Sequence, residues 1–205
     1  MKKYVMLAIS AAILNVYVVN TSVANTPNLV VVQEETQEAE TLLDKAVEAE
    51  AAGNQDALLS SLTAGTAALE KEANADKGSF KDKLLGQVGT LQKFAPMVKS
   101  GLLKGDMLKK VINTVKMLLA AKRIESALGG SNLLGNASGL TKNLGLMKAG
   151  LPALGGDSQS KLGGLLDTAM GSVGNLSKGG MTAKAAEPAV KKQLGGILDF
   201  VKTAI

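Results

Sequence analysis

Between Asp106 and Leu128 the apolar residues Leu108, Val111, Ile112, Val115, Leu118 and Leu119 recur at spacings of three and four. That is the period of one face of an α-helix, and it is incompatible with the alternation of a half-buried strand. Asp106 suits the N-cap of this helix, and Gly129-Gly130 supplies the residues that end one. Lys109, Lys116 and Arg123 recur every seven residues on a second face. Such a basic amphipathic helix can pack its apolar side in a core or lie on an anionic surface, with these three residues as the candidate contacts.

No segment carries a strand signal of comparable strength. The chain is 46% hydrophobic but only 2% aromatic, so its apolar content is mainly Leu, Ala, Val and Met, most of which favour helix. Residues 33–52 and 55–73 read as two helices joined by a Gly53-Asn54 turn. Folded back as a hairpin, they would set Leu42, Leu43, Ala46, Val47 and Ala49 against Ala57, Leu58, Leu62 and Leu69. Ser79 suits the cap of a helix over 80–95, which Pro96 would stop or kink.

Fourteen of the 52 residues from Gly129 to Gly180 are glycine, and each interior glycine costs a helix about 1 kcal/mol relative to alanine. Leu133-Leu134, Leu144 to Met147, Leu165-Leu166 and Met170 nevertheless give this stretch apolar residues that a solvated linker does not need. Residues 161–167 (KLGGLLD) are echoed at 193–199 (QLGGILD), which reads as a duplicated short helix with a glycine-softened entry. Pro188, between the copies, suits a helix start. The predicted fold is therefore an all-α, irregular multi-helix assembly with an N-terminal acidic helical hairpin and a Gly-rich C-terminal helical region.

Charge divides the chain more sharply than hydropathy. From Asn25 to Asp76 eleven acids face two lysines, and from Lys77 to Ile205 nineteen bases face seven acids, so the two parts carry net charges of −9 and +12. Such asymmetry points to an acidic arm folded over a basic body, or to two surfaces with different partners. The implied division is a signal peptide at 1–24, an acidic helical hairpin at 25–76, a basic helical region at 77–128 and a Gly-rich helical region at 129–205.

The signal-peptide reading rests on Lys2-Lys3, an apolar run from Tyr4 to Val19 interrupted by Ser10 and Asn15, and the small residues of Ser22-Val23-Ala24. Cleavage after Ala24 would leave Asn25 as the first residue of a secreted or periplasmic protein; an uncleaved membrane anchor is the alternative.

The chain has no Cys and no His, which removes disulfides, thiolate chemistry, the commonest metal ligand and the commonest general base. No phosphate-loop pattern occurs, and neither Gly101 to Gly105 nor Gly135 to Gly139, each with small-xxx-small spacing, lies in an apolar stretch long enough to span a membrane. The hairpin acids, including the one-turn pair Asp44 and Glu48, have the spacing of solvated helix faces. We therefore expect no catalytic residues, cofactor or metal. The expected role is that of a non-enzymatic structural or interaction protein binding an envelope or extracellular protein. A membrane-active or lipid-binding protein that applies helix 106–128 to an anionic membrane surface is the alternative, and nucleic acid is a poor fit because aromatic platforms are missing.

Overall fold

The computed structural model describes residues 29–130 and 133–205. The expected signal peptide, 1–24, lies outside them. The described residues form seven α-helices and no strand: α1 Leu29–Ala51, α2 Gln55–Ala75, α3 Lys81–Lys99, α4 Gly105–Gly129, α5 Ala137–Gly150, α6 Gly156–Leu176 and α7 Gly180–Ala204. Single 3-10 turns at Leu134–Asn136 and Leu151–Ala153 precede and follow α5. The all-α assembly is as expected.

The hairpin turn forms where glycine and asparagine stand together. Gly53 takes φ +68°, its N–H reaches the Glu50 carbonyl, and the Asn54 N–H reaches the Ala49 carbonyl at 2.9 Å. These two bonds satisfy carbonyls at the end of α1 that would otherwise lack partners, and the left-handed φ is one that glycine adopts without strain. The Asn54 side chain then accepts from the Ala57 N–H at 3.1 Å and starts α2. The two helices approach closely at Gly65, where an added Cβ would lie 2.9 Å from Leu43 Cγ.

Helix α4 is the axis of the molecule, packing against α1, α3, α5 and α7. Leu108, Ile112, Val115, Leu118 and Leu119 are buried as their spacing predicts, and Met117, Ala120, Ala121, Lys122 and Ile124 are buried as well. The apolar residues of all seven helices belong to one continuous core, from Ala39 and Leu43 on α1 to Leu198 and Val201 on α7. The acidic hairpin and the Gly-rich region therefore share that core with the basic central part. At roughly 1.5–3 kcal/mol for each large side chain fully buried, this core is the main stabilising term.

Several local expectations need correction. Lys104, not Asp106, is the N-cap of α4, and Asp106 stands in the first turn, where its negative charge suits the helix dipole. Phe80 occupies the N-cap of α3, while Ser79 bonds to Glu125 instead. Helix α3 runs through Pro96 to Lys99, because Pro96 lies in the last turns and on the exposed side, where the carbonyl it deprives of a partner is open to water. Pro188 is likewise inside α7. The doublets Gly163-Gly164 and Gly195-Gly196 are interior to α6 and α7, whereas Gly155-Gly156 and Gly179-Gly180 make the entries, all four with positive φ. The echoed segments lie on two helices that pack together, with Leu162 and Leu166 buried from one and Leu194, Ile197 and Leu198 from the other.

Candidate functional site

The seven-residue row on α4 serves two different ends. Lys109, in the second turn, is exposed. Lys116 forms an ion pair with Asp44, and Arg123 Nη2 lies 3.0 Å from Glu40 Oε1, with Nη1 3.4 Å from Asn143 Oδ1. Two of the three residues expected to meet an anionic surface thus meet the acidic hairpin of their own chain. The geometry is simple: α1 offers carboxylates four residues apart, and α4 offers bases seven apart on the face that crosses it.

Lys122, one position away and turned about 100° around α4, serves α2 instead. Its Nζ lies 2.9 Å from Glu72 Oε1 and 3.5 Å from the Glu72 carbonyl. This pair is nearly closed to solvent, with side-chain exposures of 8% for Lys122 and 3% for Glu72. Glu40, Asp44 and Glu72 were expected on solvated faces; Glu40 and Glu72 are instead buried or nearly so against bases of α4. Burial raises the pKa of Glu40 above its ordinary value, and the charge and hydrogen bond of Arg123 only partly offset that.

A second polar cluster closes the far end of α4. Glu125 accepts from the Ser79 N–H at 3.1 Å and the Ser79 hydroxyl at 2.6 Å, and pairs with Lys202 of α7 at 3.3 Å. Lys202 in turn stands 5.5 Å from the centre of the Phe80 ring. Partial burial pushes the Glu125 carboxyl up, but the two bonds from Ser79 and the Lys202 charge outweigh it and leave the pKa lowered.

Between these clusters, Glu72, Ala75, Asp76, Lys77, Gly78, Lys122, Glu125 and Ser126 line an open cleft of about 370 Å³. Asp76 Oδ1 accepts from the Gly78 N–H at 3.0 Å. The carboxylates crowd residue 78, where an added Cβ would fall 2.6 Å from Glu125 Oε2 and 3.2 Å from Asp76 Oδ1, so a larger residue would have to displace the Glu125 side chain. Sequence reasoning missed this convergence. Glu72 and Asp76 are one turn apart at the end of a helix, but Glu125 comes from the other end of a helix 46 residues from Ser79, its partner.

Elsewhere on the surface, Leu102 (68% exposed) and Met107 (43% exposed) stand at the corner between α3 and α4, beside exposed Lys99, Lys104, Lys109 and Lys110. Asp167 of the first echo pairs with Lys148 at 2.6 Å, and Asp199 of the second is exposed. Among the described residues, no group of three acids could hold a metal ion, and no helix is long and apolar enough to cross a membrane. No family model, no curated protein and no solved structure matches the chain.

Proposed function

We propose that the protein is exported and non-enzymatic, and that it acts by binding an envelope or extracellular protein through its lysine-rich outer surface. The observation that carries this reading is where the charge goes. Lys116, Lys122 and Arg123 are taken up by the acidic hairpin, yet sixteen lysines against seven acids remain in residues 77–205. Exposed Lys93, Lys110, Lys142, Lys161, Lys184 and Lys192 spread that excess over α3 to α7. A partner with an acidic face is favoured by such a field, and its association should weaken with salt.

The alternative, attachment to an anionic membrane surface, is supported at a different place from the one the sequence suggested. The apolar face of α4 is covered by its neighbours, so that helix does not lie flat on lipid in this fold. Leu102 and Met107, exposed at the α3–α4 corner, with exposed Lys99, Lys104, Lys109 and Lys110 close to them in sequence, are what favours the lipid reading.

The test is capture of partners from the native envelope at low and high salt, with wild type and with a Lys142→Glu, Lys161→Glu, Lys192→Glu variant, alongside flotation with anionic and neutral vesicles. A protein partner lost at high salt and from the variant supports the first reading. Binding to anionic vesicles that is lost in Leu102→Ser supports the second, and indifference to both charge changes defeats the first. Mass spectrometry of exported material should give an N-terminus at Asn25; Met1 retained in mature protein would overturn export with cleavage.

A further inference from the structure

We propose that the cleft between the first turns of α5 and the last turns of α4 binds a small oxyanion, a phosphate or carboxylate group. The cleft, about 410 Å³ and open to solvent, is lined by Arg123 of α4 and by Ser138, Gly139, Lys142 and Asn143 of α5, and among the described residues no acid lines it. Ser138 with Lys142, and Gly139 with Asn143, are four residues apart, so α5 presents them as one strip running from its N-terminal turn.

The residue that points to a ligand is Asn143, which is only 9% exposed. Its Oδ1 lies 3.4 Å from Arg123 Nη1, and because a guanidinium has donors only, the oxygen is the end of the amide that faces it. The amide NH2 is turned away from Arg123 and finds no acceptor among the described residues, yet it is not closed to solvent, and the cleft is where it opens. A largely buried donor left without a partner favours any acceptor that enters beside it. The rest of the lining agrees in sign. Glu40, which does not line the cleft, holds Arg123 Nη2 at 3.0 Å, so the guanidinium brings a donor to the cleft but little net charge. Net positive field comes from exposed Lys142 and from the N-terminal end of α5, where the peptide dipoles place partial positive charge. Amide, guanidinium, hydroxyl and ammonium all donate, which suits an oxyanion and not a cation.

Both oxyanions are tested directly. Purified protein labelled with ¹⁵N would be titrated with sodium phosphate and, separately, with sodium acetate, against sodium chloride at matched ionic strength and pH. Saturable shifts confined to the amides of residues 135–143, the Asn143 side-chain NH2 and the neighbourhood of Arg123 are expected with at least one oxyanion and not with chloride. Asn143→Asp keeps an oxygen for Arg123 while replacing the donor with a carboxylate, and should weaken binding about tenfold or more. Lys142→Gln, at an exposed position that the fold does not depend on, should weaken it about threefold. Lys178→Gln makes the same change of charge in the turn between α6 and α7 and should leave binding unchanged. Thermal melts would confirm that the variants fold, and the two lysine variants decide the matter if Asn143→Asp does not. Saturation by phosphate alone assigns a phosphate group, and saturation by acetate assigns a carboxylate. Shifts reproduced by chloride, no saturable shifts, equal affinity in folded Asn143→Asp, or equal weakening by Lys142→Gln and Lys178→Gln would overturn the proposal.

Discussion

Arg123 Nη2 of α4 lies 3.0 Å from Glu40 Oε1 of α1, and one turn further along α1, Asp44 meets Lys116 of the same α4. With Lys122 and Glu72 these make three bridges, each taking its acid from the hairpin and its base from the central helix. The charge asymmetry of the chain is in this respect an internal device: part of the −9 and +12 is neutralised where the two parts meet.

These bridges should differ in worth according to burial. Glu72→Ala leaves the Lys122 ammonium buried beside a carbonyl, and should cost about 3 kcal/mol or more. Asp44→Ala removes a carboxylate with 48% of its side chain exposed and should cost under about 1 kcal/mol. Denaturant unfolding of both variants checks the order. A larger loss from Asp44→Ala than from Glu72→Ala would show that burial does not govern these pairs.

Glu40 and Glu125 should push stability in opposite directions with pH. The pKa of Glu40 is raised in the fold, so its favourable contribution is present below the ordinary value of 4.5 and is lost as pH rises through the raised value. That of Glu125 is lowered, so its contribution is present above 4.5 and is lost as pH falls through the lowered value. Across the acid range on either side of the ordinary value of 4.5, the stability of Glu40→Gln relative to wild type should rise with pH. That of Glu125→Gln should fall. Unfolding curves at several pH values would show it, and parallel pH profiles for the two variants would refute it.

The glycines of α5, α6 and α7 should separate into two classes. Gly164, Gly171, Gly174 and Gly196 are exposed within helices, and a Cβ added at any of them would meet nothing within 4 Å. Alanine at each should stabilise by about 0.5–1 kcal/mol and slow amide exchange in its helix. Gly150 is the opposite case, since a Cβ there would fall 2.7 Å from Met117 Cγ and 3.0 Å from the Asn113 carbonyl oxygen. Gly150→Ala should destabilise by about 1–3 kcal/mol, because the carbonyl belongs to the central helix and cannot yield as a side chain does. Melting temperatures that rise for all five alanine variants would contradict the close approach at Gly150.

What could be read in the sequence was what neighbours along the chain decide. The turn at Gly53-Asn54, the buried face of α4 and the helical character of the Gly-rich region all depend on residues within one or two turns of each other. Pro96 and Pro188 misled because exposure decides whether a helix tolerates proline, and exposure is set by tertiary packing. The pairing of α4 with the hairpin was hidden for the same reason. Nothing in the adjacent pair Lys122-Arg123 says that one turns to α2 and the other to α1, or that Glu40 and Glu72 will be taken out of water by bases fifty and more residues away.

The last prediction concerns what holds the hairpin to the rest, charge or apolar contact. Asp44 and Lys116 are partly exposed, and a bridge of that kind is screened over about 8 Å at physiological salt. Glu72 with Lys122 is largely shielded, and Ala39, Leu43, Ala46, Leu62, Leu69 and Ala73 join the core shared with α3 and α4. Salt does not weaken that apolar part, and sulfate strengthens it. If residues 25–76 and 77–205 are expressed separately and titrated together, they should bind at low salt and more weakly at high sodium chloride, without losing binding altogether. The residual affinity should fall on Leu43→Ala or Leu69→Ala, which empty part of the core without touching a charge. Binding abolished by sodium chloride would leave charge as the only link between the parts, and no binding at any salt would mean that the hairpin docks only while covalently attached.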